Sequence, residues 1–98
     1  MDEATREAVD RLLILAKSDT GQAGRIANFL LAWWNAEELG GFDIAELFTV
    51  DGAIARDMAR VFSYLATRSN AEYPEDRESD IREIIRRWRP VVWAKIEA

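Results

Sequence analysis

The chain has 98 residues, a formal charge of -5, 49% apolar residues, ten aromatics, and neither cysteine nor histidine. That length fits one helical domain over residues 1–98, with enough apolar side chains to withdraw roughly 65% of the unfolded chain's surface from water. Missing cysteine excludes disulfides and thiolate chemistry, and missing histidine removes the commonest metal ligand and general base near neutral pH.

The charge is uneven. Residues 1–50 hold nine acids and four bases, whereas residues 51–98 hold nine of each. A duplex-binding protein draws affinity from a basic excess, so nucleic acid is disfavoured as a partner. The acidic start Met1-Asp2-Glu3 and a longest apolar run of only six residues, Phe29 to Trp34, predict neither a signal peptide nor a membrane span. The expected location is the cytoplasm.

Ala8, Val9, Leu12, Leu13 and Ala16 recur at helical spacing and predict a first helix over residues 4–17, with Glu7 and Arg11 forming an i, i+4 pair. Ile14 points away from this stripe, as a lone exposed residue or a partner contact. Asp19 and Gln22 have capping-box spacing before a second helix. Gly21, Gly24 and Arg25 follow, but match no phosphate-binding fingerprint.

The second helix, from the start signal at Asp19–Gln22 to the stop at Gly40-Gly41, is apolar over more than half its circumference, which predicts packing on several sides and a central place in the bundle. Its remaining strip, Gly24, Arg25, Asn28, Ala32 and Asn35, reads as solvated. Trp33 is assigned to the core, and Trp34 either to the core or to a partner contact. Glu37 falls on the apolar arc and calls for an arginine partner or solvent. Gly40 is placed to end the helix.

Asp43 and Glu46 repeat the capping-box spacing and open a short lid helix over residues 43–48, with Phe42, Ile44, Leu47 and Phe48 over the end of the bundle. A third helix follows from Val50, Ile54, Met58, Val61, Phe62 and Leu65, its outer face carrying Arg56, Asp57 and Arg60 in mixed sign. After a polar connection ending in Tyr73-Pro74, Ile81, Ile84, Ile85 and Trp88 define a fourth helix that stops before Pro90. A short C-terminal turn, Val91 to Ile96, returns Trp93 to the core.

Asp-Thr-Gly-Gln at 19–22, Ala-Asn-Phe-Leu-Leu-Ala-Trp-Trp-Asn-Ala at 27–36, Gly-Gly-Phe-Asp at 40–43, Val-Asp at 50–51, Tyr-Pro at 73–74 and Arg-Trp-Arg-Pro at 87–90 resemble a family of small uncharacterised proteobacterial proteins. Its members accompany plasmids and integrative elements. The resemblance spans nearly the whole chain, apart from a charged linker at 68–80, and brings a domain of unknown function without catalytic residues. It implies a bacterial cytoplasmic setting and an accessory role on a mobile genetic element.

The fold expected is all-α: a compact four-helix bundle with a central apolar helix, a short lid helix and a C-terminal turn. No serine, lysine or acid stands in a motif that unites nucleophile, base and oxyanion donors, so no enzyme, cofactor or metal site is expected. The leading functional expectation is a non-enzymatic protein that binds another protein as a monomer or homodimer, with an anti-defence inhibitor as its narrower form. The surface expected to do so comprises Trp34, Asn35, Glu38, Gly40, Gly41, Phe42 and Asp43. The alternative is a nucleic-acid-binding accessory protein using the basic face Arg82, Arg86 and Arg89, although the expected i, i+4 pairs Glu78-Arg82 and Glu83-Arg87 and the acids of the N-terminal half compete for those cations.

Overall fold

A row of four helices, each buried by its neighbours, follows from four separate apolar stripes. The computed structural model describes residues 1–97. Its helices are α1 (Glu3–Ala16), α2 (Ala23–Leu39), α3 (Gly52–Ala66), α4 (Glu78–Trp88) and α5 (Pro90–Glu97), with 3-10 turns at Ile44–Thr49 and Glu75–Arg77. No strand occurs among the described residues. The all-α expectation therefore holds.

α1 packs between α2 and α3, α2 also meets α4, and α5 folds back on α4. The centre is thus shared by α1 and α2. Leu12 and Ala16 of α1, Ile26, Leu30 and Leu31 of α2, Met58 and Val61 of α3, and Ile81 and Ile84 of α4 meet in one buried cluster. The radius of gyration, 12.9 Å, matches the roughly 13 Å of a packed chain this long.

Local chemistry sets where the helices start and stop. Asp2 caps α1 by accepting from the Thr5 amide at 2.9 Å, and this hydrogen bond holds its carboxyl below the usual range. The expected box at the start of α2 is absent. Asp19 is drawn to Arg87 and the Gln22 amide donates to Asp51, so no side chain caps that helix. At the other end Gly40 takes φ +93°, a conformation open to glycine, and its N–H donates to the Ala36 carbonyl at 2.9 Å.

Three expectations about faces need correction. Phe62 is 66% exposed, because α3 packs chiefly on α1 and its far flank has no neighbour. The strip of α2 through Gly24 and Asn28 is the seat of α4: Trp88 lies over Gly24 and Arg89 reaches Asn28. The expected pairs Glu78-Arg82 and Glu83-Arg87 give way to longer-range partners, with Lys17 taking Asp80 at 2.6 Å and Glu83 at 3.4 Å, Arg82 taking Glu97, and Arg87 taking Asp19. Hydrogen bonding to Asp80 leads the causes that raise the Lys17 pKa. The Glu7-Arg11 contact is long, at 4.0 Å, because the guanidinium forks onto Asp57 instead.

Candidate functional site: the acidic end of α2

The exit of α2 is built around Asn35. At φ -167° and ψ 83° this residue leaves the helical conformation, and its Oδ1 accepts from the Glu38 amide at 3.3 Å. Asn35 thus caps a second, short helical segment from Ala36 to Leu39, and the wheel that put Glu37 on the core arc no longer applies beyond it. Glu37 and Glu38 both face solvent.

Behind this break the aromatics are anchored. Phe42 packs edge-on against Phe29 with ring centroids 5.3 Å apart and an interplanar angle of 85°. Trp33 donates from Nε1 to the Glu72 carbonyl at 2.8 Å, which ties the polar connection to α2. Trp34 is half-buried against the core, and its outer side shares a hollow of about 190 Å³ with Tyr73 and Glu75. Trp34 is therefore a core-margin residue with one accessible edge.

The 3-10 turn Ile44–Thr49 is a lid only in part. Asp43 caps it, accepting from the Ala45 amide at 2.9 Å. Leu47 joins the core margin, whereas Ile44 is 67% and Phe48 90% exposed. The expectation that Phe48 covers the bundle's end is overturned, because Phe42 and Leu47 already fill that position.

Charge concentrates here as well. From Ile26 to Ala55 the sequence contains no lysine or arginine and five acids, Glu37, Glu38, Asp43, Glu46 and Asp51, whose summed charge equals that of the whole chain. None of the five makes a salt bridge among the described residues, while Asp10, Asp57, Asp76 and Asp80 all do. Seven predicted residues, Trp34, Asn35, Glu38, Gly40, Gly41, Phe42 and Asp43, thus follow one another along this exit. Phe48 and Ile44, the two exposed apolar members, were missed as candidates.

The α4 arginines do not assemble into one face. Arg82 stacks over Trp93 at 5.0 Å and pairs with Glu97 at 3.7 Å. Arg86 is exposed. Arg89 lies past the end of the helix and turns the other way: Nε donates to the Leu39 carbonyl at 2.7 Å and an Nη donates to Asn28 Oδ1 at 2.7 Å. Trp88 Nε1 donates to the Ala16 carbonyl at 2.8 Å, and Arg87 bonds the Ser18 carbonyl at 3.1 Å. The Arg-Trp-Arg run therefore satisfies carbonyls left open at the C-termini of α1 and α2.

These fasteners lie within the segment that carries the sequence match. Residues 6–89 match the model of a family of unknown function, DUF7673. The chain belongs to this family. The matched span runs from within α1 through Arg89, so it takes in both the acidic exit of α2 and the Arg-Trp-Arg fastener, and it stops before α5. No curated protein and no solved structure matches the chain. Among the described residues, no helix is long and apolar enough to cross a membrane.

Proposed function

We propose that this protein is a non-enzymatic interaction module whose acidic exit of α2 docks a partner protein presenting basic side chains around an apolar recess. The observation that carries the reading is the 90% exposure of Phe48 within a stretch of unpaired acids. A single exposed apolar side chain is ordinary on a protein surface. Here, however, Ile44 is exposed in the same turn, and the surrounding carboxylates lack the internal cations that neutralise acids elsewhere in the chain. Burying one phenylalanine supplies about 1.5–3 kcal/mol, and complementary charge supplies orientation and association rate.

The accessory role on a mobile genetic element, in a bacterial cytoplasm, belongs to this proposal. Its narrower form, an anti-defence inhibitor imitating nucleic acid, draws on the same five acids, but Asp10 and Asp19 of the acidic half are taken by Arg77 and Arg87. Docking to a basic protein surface is the better supported version. The nucleic-acid reading loses Arg89 to Leu39 and Asn28 and is not carried forward.

Affinity capture from a bacterial host tests the reading with four baits: wild type, Phe48→Ser, the pair Glu37→Lys, Glu38→Lys, and Arg86→Ala as a control. The expected result is a protein retained by wild type at low salt and lost with both altered baits, while an Arg86→Ala bait still holds it. Equal recovery of the same proteins by all baits would refute the docking surface.

A further inference from the structure

A second feature, independent of Phe48 and the acids of the α2 exit, lies between α1 and α3. An open cleft of about 730 Å³ runs there, with Arg56, Arg60 and Ser63 of α3 on one wall and Asp2 and Arg11 on the other. Spacing at 56, 60 and 63 puts the three α3 side chains on one stripe of that helix. In sequence Arg56, Asp57 and Arg60 make a face of mixed sign, but Asp57 is committed elsewhere. Both of its oxygens are held by the fork of Arg11, at 2.9 and 3.0 Å, and this hydrogen bond raises the Arg11 pKa.

Most of the thirteen basic side chains are occupied by a carboxylate or a carbonyl; among the described residues Arg56, Arg60, Arg86 and Lys95 have neither, and of these only Arg56 and Arg60 line this cleft. Two like charges one turn apart repel each other, so the arrangement favours an anion between them. Arg11 with Asp57 shows that one carboxylate is saturated by one guanidinium. Two arginines one turn apart on α3, neither taken by a carboxylate, instead suit a group with three oxygens and two charges, which a phosphate monoester supplies. Ser63 has no hydrogen-bond partner among the described residues and adds a hydroxyl. Asp2, which accepts from the Thr5 amide through Oδ1, also lines the cleft and brings a carboxylate to it.

We propose that the α1/α3 cleft binds a small phosphomonoester with a hydroxylated body, its phosphate held by Arg56 and Arg60 and a hydroxyl of its body donated to Asp2. The cleft, about 730 Å³ and open to solvent, leaves room for a body beyond the phosphate. Tyr64 closes one side. Its ring is capped by Arg68 at 5.6 Å and its hydroxyl donates to Glu72 at 2.8 Å, so it forms a fixed wall.

Amide shifts in two-dimensional NMR test the site on the full chain, titrated with ribose 5-phosphate, inorganic phosphate or chloride at matched ionic strength. Ribose 5-phosphate should give saturable shifts confined to Asp2, Thr5 and residues 56–67, and should bind more tightly than inorganic phosphate. Arg56→Ala with Arg60→Ala should weaken binding at least tenfold, and the corresponding lysine pair several-fold, because lysine keeps the charge without the fork. Arg86→Ala, which removes an equal charge elsewhere, should leave binding unchanged. Shifts that match those in chloride, tighter binding of inorganic phosphate, or undiminished binding by the arginine variants would overturn the proposal. All these side chains are exposed, so circular dichroism should show the fold intact in each variant.

Discussion

Arg89 donates to the backbone carbonyl of Leu39 at 2.7 Å, which joins the end of α4 to the end of α2. A residue that looks from sequence like part of a basic binding face is a fastener for the helix that carries the candidate docking end. Its guanidinium fork meets Asn28 and the Trp88 carbonyl with its remaining donors. Arg89→Ala should lower stability by about 2 kcal/mol, within the range for a charged hydrogen bond. Arg89→Lys should recover little of it, because a single ammonium cannot span acceptors on both helices. Chemical denaturation of the two variants checks this, and an Asn28→Ala double-mutant cycle should return a coupling above about 0.5 kcal/mol.

Gly24 and Trp88 provide a second test. A Cβ at Gly24 would stand 3.2 Å from the Trp88 ring, which its hydrogen bond to the Ala16 carbonyl keeps from moving away. Gly24→Ala should therefore destabilise the protein, although alanine is favoured over glycine in a helix interior by up to about 1 kcal/mol. Gly21→Ala, where nothing lies within 4 Å, is the matched control. Thermal melts should separate the two.

Phe42 and Phe48 should behave oppositely. Phe42 packs on Phe29, so Phe42→Ala should cost about 2 kcal/mol, somewhat below the range for a fully buried phenylalanine. Phe48→Ser should change stability by less than about 0.5 kcal/mol, as exposed substitutions do. Trp34 and Phe42 belong partly to the core, so only the Phe48 variant separates loss of binding from loss of fold.

Acid titration should report the cap of α1. Asp2 has its carboxyl pKa lowered from 3.8 by hydrogen bonding to Thr5. A lowered folded-state value means the contribution is complete above the unfolded value and disappears as pH falls through the folded one. Wild type should consequently lose stability relative to Asp2→Asn as pH falls below about 4, since asparagine caps without titrating. Urea midpoints of both proteins across that range supply the comparison. A constant difference would assign no titrating role to Asp2.

The periodicities of α1, α3 and α4 were legible because a stripe of Leu, Ile or Val repeated at helical spacing has few alternatives. What periodicity cannot register is a side chain bonding to backbone. Trp88, Arg87 and Arg89 act on the carbonyls of Ala16, Ser18 and Leu39, and no residue identity marks those acceptors. Likewise Asn35 interrupts an apolar pattern that runs on without a break, so Glu37 was placed on a helix face that ends before it. In the turn at Ile44–Thr49 apolar residues occupy both sides, and only packing decides that Leu47 turns in while Phe48 turns out. The cleft arginines were hidden by their neighbour: Asp57 is adjacent in sequence but committed to Arg11 in space.

Photo-crosslinking from position 48 tests the docking claim most directly. With p-benzoylphenylalanine in place of Phe48, expressed in a bacterial host, the expected product is one dominant crosslinked protein whose contact surface is rich in lysine and arginine. Its yield should fall when Glu37→Lys and Glu38→Lys are added. Absence of a discrete crosslink, or a crosslink of equal yield after the charge reversal, would contradict it.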